Sequence, residues 1–273
     1  HPGSRKIADI DLARRAGDGM VHYSADFYLI KPTAPKPGGR VLYNVTNRGN
    51  EHLLSHYSWA KAAPLTGAPA DVSDGYLLRS GYTLAYLGWQ TDLPPGPGMM
   101  RLYVPEAADA AGAPVDTPTF VTLTPTTVVG HFLLSDRRHQ PWPSRDPNDP
   151  EATLIVREHP DGPGEVIDRS KWSFGRVVDG KAVTDARYVR LAGGFQPGKC
   201  YEVYYTAIGA PLVGLSFTAT RDFVSFLRYS GAAQGNPCAG TLSHALAFGA
   251  SMSGRYLREL LYWGMNEDED GRI

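Results

Sequence analysis

His244-Ala245-Leu246-Ala247-Phe248-Gly249-Ala250-Ser251-Met252-Ser253-Gly254-Arg255-Tyr256-Leu257-Arg258-Glu259-Leu260-Leu261-Tyr262 is the stretch on which the reading of this chain turns. A short apolar run comes first, which predicts a strand. Small residues follow, with Ser251 at their apex. A helical pattern then starts at once, with Leu257, Leu260 and Leu261 spaced for one face. Strand, sharp turn and helix form the context in which a G-x-S-x-G-like motif carries chemistry. There the serine is held in a strained backbone conformation that lifts its hydroxyl clear of the strand ends. The positions two before and two after must be small, and Gly249 and Ser253 fill them, with Gly254 adding clearance. The Met252 N–H would lie at the helix N-terminus, aimed where an oxyanion forms. The bland alternative is a small-residue turn in which Ser251 or Ser253 merely caps a helix.

Working outward, the preceding segment Leu215 to Tyr229 reads as a helix, with Ala219, Phe223, Phe226 and Leu227 on one face. Residues 5–35 read as an opening pair of strands, Ile7 to Ala13 and Val21 to Ile30, around the turn at Gly17-Asp18-Gly19. A Pro/Gly-rich linker, Pro32 to Gly39, follows. Arg40 to Thr46 is rich in β-branched and aromatic residues and predicts a strand. It ends in Asn47-Arg48-Gly49-Asn50. Two readings of that loop stand: a second source of oxyanion N–H groups, from Arg48 or Gly49, or an ordinary turn using Gly49 for positive φ. His52 to Ala63 is weakly helical. His52 and His56 are four apart, but no third metal ligand accompanies them, so they read as rim histidines. Gly81 to Asp92 predicts another strand. Trp89 and Gln90 at its end could line a substrate pocket, or Trp89 could be core.

Residues 93–210 differ in character. Prolines and glycines recur, and short β-like runs appear at Met100–Val104, Phe120–Leu123, Thr127–Leu133, Ala152–Arg157, Tyr188–Leu191 and Tyr201–Ala207. They predict a β-rich insertion, with Lys171-Trp172-Ser173-Phe174 as an aromatic anchor. No catalytic constellation is visible in it.

The 273 residues carry 27 Lys and Arg against 28 Asp and Glu. This balance, without a basic block, argues against nucleic acid as a partner. No apolar run reaches membrane-spanning length. Cys200 and Cys238 lack metal-type spacing, and the sequence leaves open one disulfide or two buried thiols. Nothing calls for a cofactor or a metal. Asn266-Glu267-Asp268-Glu269-Asp270-Gly271 alternates like the start of a calcium loop, with Ile273 at the apolar eighth position. The first carboxylate is replaced by Asn266, and a solvated acidic loop is the competing reading. The opening His1-Pro2-Gly3-Ser4-Arg5 points to an upstream segment removed or left out.

Taken together, Tyr43-Asn44-Val45-Thr46-Asn47-Arg48-Gly49, Gly88-Trp89-Gln90-Thr91-Asp92, Arg221 to Tyr229 and Gly249 to Arg255 resemble a bacterial family of large, mostly uncharacterised α/β-hydrolase domain proteins. Its elbow looks like G-x-S-Q-S-G-R, so Ser253 fits, while Met252 stands where glutamine is usual. The resemblance covers most of residues 5–273. It implies a catalytic acid and histidine further along a longer parent chain, often an exported (periplasmic or secreted) protein, and a structural role for the acidic tail. The resulting expectation is an α/β fold: a mainly parallel sheet with helices on both faces, interrupted by a β-rich insertion and lacking a C-terminal half. Residues 1–92 and 211–273 would form the core, and 93–210 the insertion. The expected function is a serine hydrolase acting on a small-molecule carboxylic ester. Ser251 would be the nucleophile, Met252 with Arg48 or Gly49 the oxyanion donors, and Trp89 and Gln90 the pocket. An amide or peptide hydrolase with the same machinery is the alternative, as is a non-catalytic ligand-binding protein. The oligomeric state is left open.

Overall fold

The computed structural model describes residues 6–34, 38–61, 65–66, 70–137 and 139–272. The readings placed on His1–Arg5, on residues 35–37 of the Pro/Gly-rich linker, on 62–64 of the weak helix and on Ile273 lie outside the described residues.

The first 105 residues contribute β1 (Ser24–Ala25), β2 (Phe27–Ile30), β3 (Gly39–Val45), α1 (Leu53–Tyr57), α2 (Tyr76–Arg79), β4 (Tyr82–Leu87) and β5 (Leu102–Tyr103). Nine strands follow: β6 (Thr117–Leu123), β7 (Val129–Leu133), β8 (Thr153–Arg157), β9 (Glu165–Ile167), β10 (Trp172–Phe174), β11 (Arg176–Val178), β12 (Lys181–Val183), β13 (Tyr188–Phe195) and β14 (Cys200–Ala207). The chain closes with α3 (Leu215–Tyr229), β15 (Leu242–Phe248) and α4 (Met252–Tyr262). Two compact units result: residues 1–105 with 212–273, and residues 106–211.

The expected α/β architecture is overturned. The chain is β-rich, with several small antiparallel sheets and only 18% helix. Parallel pairing is confined to β15, β3 and β4 in one four-stranded sheet, whose fourth strand β2 runs antiparallel to β4. Two physical causes account for the error. The short β-like runs of residues 93–210, read as an insertion in an α/β core, supply the bulk of the strands. And α1 and α2 are only single turns, in a stretch whose sequence is broken by Pro64, Gly67, Pro69 and Gly75. Ile7 to Ala13 is also not a strand. It forms a 3-10 turn at Ile10–Leu12, entered through Asp9 at φ 58°.

Within the first unit the sheet order β15-β3-β4-β2 puts the C-terminal ends of β3, β4 and β15 side by side. Val41, Tyr43 and Val45 are buried, and Tyr43 meets α3, which buries Leu215, Ala219, Phe223 and Leu227 at helical spacing. Phe223 meets Tyr43 and Phe27 edge-on or tilted. A separate cluster joins Leu53, Leu54, Leu77, Leu84 and Tyr86. Strand β15 is paired on one side only, and its Ala245, Leu246 and Ala247 are exposed. Cys238 in this unit and Cys200 in the other are both buried free thiols.

The second unit is a sandwich. Sheet β6-β14-β8-β9 and sheet β10-β13-β7 are antiparallel throughout and share one core, to which Leu154, Val203, Trp172, Phe174 and Phe195 contribute. The β11-β12 hairpin stands apart as its own two-stranded sheet. Among the described residues no helix is long and apolar enough to cross a membrane.

Candidate active site

Ser251 lies at the junction of β15 and α4 with φ 57° and ψ −119°. An L-residue rarely adopts this backbone, and holding it there costs about 1–3 kcal/mol unless the surroundings compensate. They do so through close contact. A Cβ on Gly249 would sit 2.6 Å from the Ser253 carbonyl oxygen, and one on Gly254 would sit 2.9 Å from the Gly249 oxygen. Two glycines therefore let the strand end and the first helical turn touch backbone to backbone.

Ser253 is fully buried, and its hydroxyl donates to the Thr46 carbonyl at 3.0 Å. The same carbonyl accepts the Trp89 indole N–H at 2.6 Å. Thr46 in turn donates its own hydroxyl to the Leu87 carbonyl. One backbone oxygen at the end of β3 thus ties α4 to the segment after β4. The Trp89 ring also lies against Tyr256, with centroids 4.3 Å apart. Below it, Tyr43, Thr220 and Tyr256 share a buried hydroxyl chain that ends on the Ser216 carbonyl. Burial holds the Tyr256 phenol well above its ordinary range, so this chain stays neutral at physiological pH.

The helix-cap alternative fails on geometry. Ser251 occupies the N-cap position, but its side chain makes no capping hydrogen bond. Ser253 lies inside the helix and spends its hydroxyl on Thr46. Ser251 is exposed, and its hydroxyl has no hydrogen-bond partner among the described residues. At the first turn of α4 the Ser253 N–H goes to Ala250, whereas the Met252 N–H has no acceptor among the described residues.

The Asn47–Asn50 loop is brought beside the elbow by the parallel pairing of Asn44 with Phe248 and by the Asn47 amide, which donates to the Ala250 carbonyl at 3.4 Å. Arg48 and Gly49 both have positive φ, at 50° and 76°. The Arg48 N–H is committed: it donates to Gln90 Oε1 at 2.9 Å. That removes Arg48 as an oxyanion donor in this conformation. The Gly49 N–H has no acceptor among the described residues, and its carbonyl accepts from Met100. Gln90 acts as a brace. It is buried, and besides holding Arg48 its carbonyl accepts from Leu102. Trp89 is likewise a prop for the elbow.

His52 and His56 stand on the rim. The His56 Nδ1 lies 2.6 Å from the His52 carbonyl, and its ring packs on Phe248. Among the described residues no group of three or more His, Cys, Asp or Glu could hold a metal ion. The acidic tail closes on itself instead. Asp268 accepts from the Asp270 and Arg272 N–H groups, from the Arg272 guanidinium and from the Ser225 hydroxyl. Burial alone would raise its carboxyl, but these bonds hold it far below the carboxylate range.

A cavity of about 480 Å³ lies over β15, between Leu246, Ala247, Leu257, Leu260 and Val224. Neither Ser251 nor Arg48 lines it, so it is not the space in front of the candidate nucleophile. The residues that sequence reasoning missed are Thr46 and Asn47. Their part rests on a backbone carbonyl and an amide bond across 203 residues, for which the sequence carries no local signal. No protein-family model matches this chain, and neither the curated proteins nor the solved structures offer a match to it.

Proposed function

We propose that this protein is a serine hydrolase that cleaves carboxylic esters through an acyl-serine intermediate on Ser251. The observation that carries the reading is the Ser251 backbone itself: a positive-φ serine, exposed and uncapped, at the N-terminus of a helix. Strained positions of this kind cluster at functional sites, and nothing in the packing requires a hydroxyl here. In the reaction Ser251 Oγ attacks the ester carbonyl, and the carbonyl oxygen becomes an oxyanion. The Met252 N–H and the Gly49 N–H are the two backbone donors left for it, and the helix terminus adds favourable field. Collapse of the tetrahedral species expels the alcohol and leaves the acyl group on Ser251. Water then releases the acid. A general base must take the Oγ proton, and the resemblance implies a histidine, oriented by a carboxylate, for that role.

Hydrolysis of p-nitrophenyl acetate and butyrate tests this, read as nitrophenol release. With the histidine and carboxylate supplied, the expected result is turnover, or at least a burst equal to the enzyme concentration, lost in Ser251→Ala; the 273 residues alone should turn over poorly, because an unassisted serine hydroxyl is a weak nucleophile. Matched p-nitroanilide substrates separate ester from amide hydrolysis, because the poorer leaving group demands protonation by a well-placed acid. Release that persists in Ser251→Ala at the parent rate would overturn the assignment.

A further inference from the structure

The second unit carries a surface that its own fold does not explain. In an antiparallel sheet successive side chains alternate faces. On β6 and β14 the inward set, Val121, Leu123, Tyr201 and Val203, makes the core. The outward set places Phe120 directly across from Tyr204. The two rings lie nearly parallel, at 21°, with centroids 5.6 Å apart. Phe120 is 61% exposed and Tyr204 39%, so neither is there to fill the core. The pair therefore offers aromatic surface to solvent on the outer side of the sheet.

The pair borders a cavity of about 330 Å³ that Asp149, Glu151, Pro118 and Thr206 complete. That volume falls in the roughly 300–1,000 Å³ range of small-molecule sites. The loop carrying the two carboxylates is held in place. Arg169 lies over the Trp172 ring and donates to the carbonyls of Pro147, Asp149 and Trp172. Its charge is spent on the backbone rather than on the carboxylates. Arg145, next to Thr206, is paired with Asp116. Tyr204 and Arg157 are both bonded to Glu202. Asp149 Oδ1 accepts from the Glu151 N–H, while the Glu151 carboxylate accepts no hydrogen bond among the described residues.

A site that joins open aromatic faces to carboxylate acceptors, with no basic side chain lining it, suits one kind of ligand. It must have flat C–H faces to lie on the rings and many hydroxyl donors for the acceptors. It must not be anionic. We propose that the Phe120–Tyr204 surface binds a neutral carbohydrate, with a sugar ring stacked on the aromatic pair and its hydroxyls donating to Asp149 and Glu151. This goes beyond the hydrolase reading and does not depend on Ser251.

Calorimetric titration of the 273-residue protein with neutral tetrasaccharides of glucose, xylose, mannose and galactose tests the proposal, with tetramethylammonium chloride as the competing cationic probe. The expected result is saturable binding of at least one tetrasaccharide. It should change less than about twofold between roughly 50 and 500 mM salt. It should weaken at least about tenfold in Phe120→Ala and several-fold in Glu151→Gln, and it should be unchanged in Ser251→Ala. Tyr204→Phe keeps the ring and should retain binding, which guards against a folding artefact at this strand. No heat with any tetrasaccharide up to about 10 mM would overturn the proposal. So would binding indifferent to Phe120→Ala. Salt-sensitive binding of tetramethylammonium alone, lost in Glu151→Gln, would overturn it in favour of a cation site.

Discussion

Replacing Gly249 with alanine tests the geometry of the elbow without touching any reacting atom. The added methyl would meet the Ser253 oxygen at 2.6 Å, the Ser253 carbonyl carbon at 2.7 Å and the Gly254 nitrogen at 3.0 Å. All three are backbone atoms, so no side chain can swing away. The first contact falls about 0.8 Å short of ordinary van der Waals distance, and the strand end and helix start must separate by that order. Gly249 does not have positive φ, so the cost is steric and not conformational. Overpacking of this kind costs about 1–3 kcal/mol. For a chain of this size that is a fall in Tm of roughly 3–10 °C. Among the described residues every α-helix belongs to the first unit, so circular dichroism at 222 nm follows the transition that matters. Gly254→Ala would meet only the Gly249 carbonyl, its oxygen at 2.9 Å and its carbon at 3.6 Å, and should cost less. Reactivity should respond more steeply than stability: a displacement of about 1 Å at a catalytic group can cost 100-fold. A Gly249→Ala protein that melts within about 1 °C of the parent, or less stable Gly254→Ala than Gly249→Ala, would refute the close approach on which the strained serine depends.

Three further outcomes follow from the same contacts. Ser251→Gly should hold or raise Tm, by up to roughly 10 °C, since relief of about 1–3 kcal/mol of strain offsets the entropy cost of glycine, about 0.5–1 kcal/mol, and it should abolish ester cleavage. Trp89→Phe keeps a ring against Tyr256 but loses the 2.6 Å bond to Thr46; thermal melts should show a loss of about 0.5–1.5 kcal/mol, with reactivity at Ser251 falling several-fold. Burial raises the Glu51 carboxyl above its usual range while its Oε2 accepts from the Leu54 N–H. The stability Glu51 contributes is therefore fully present below its unfolded value, near pH 4.3, and is lost as pH rises through the higher folded value. Urea melts should find Glu51→Gln equal to the parent at about pH 4 and more stable at pH 7, and a constant difference across that range would contradict this account of Glu51.

What the sequence made legible was local. The helix at Leu215–Tyr229 follows from one apolar face, and the strand ending at Val45 from its β-branched and aromatic content. The small residues at 249 and 254 declare a tight approach wherever the chain goes next. The global architecture was not legible in this way. Short β-like runs such as Tyr188–Leu191 do not announce their partners, and β13 in fact extends to Phe195 through a register shift against β7. Antiparallel pairing across the second unit thus outweighed the α/β pattern suggested by the elbow. The supports of the site were hidden for a related reason. Gln90 looks like a pocket residue because it ends the predicted strand, but the Arg48 N–H claims its side chain. Thr46 acts through its carbonyl, which every residue type possesses, so no side chain could have signalled it. β15 forms the expected strand but lies at the sheet edge, with residues 245–247 exposed although apolar.

The central claim is that the strain at Ser251 serves a nucleophile. The most direct measurement is the intact mass of the protein after incubation with a fluorophosphonate, with the modified peptide sequenced and Ser251→Ala run in parallel. One adduct per chain, on Ser251 and missing from the alanine variant, is the predicted result. A well-folded protein that takes up no reagent, or takes it up at another residue, would contradict the account.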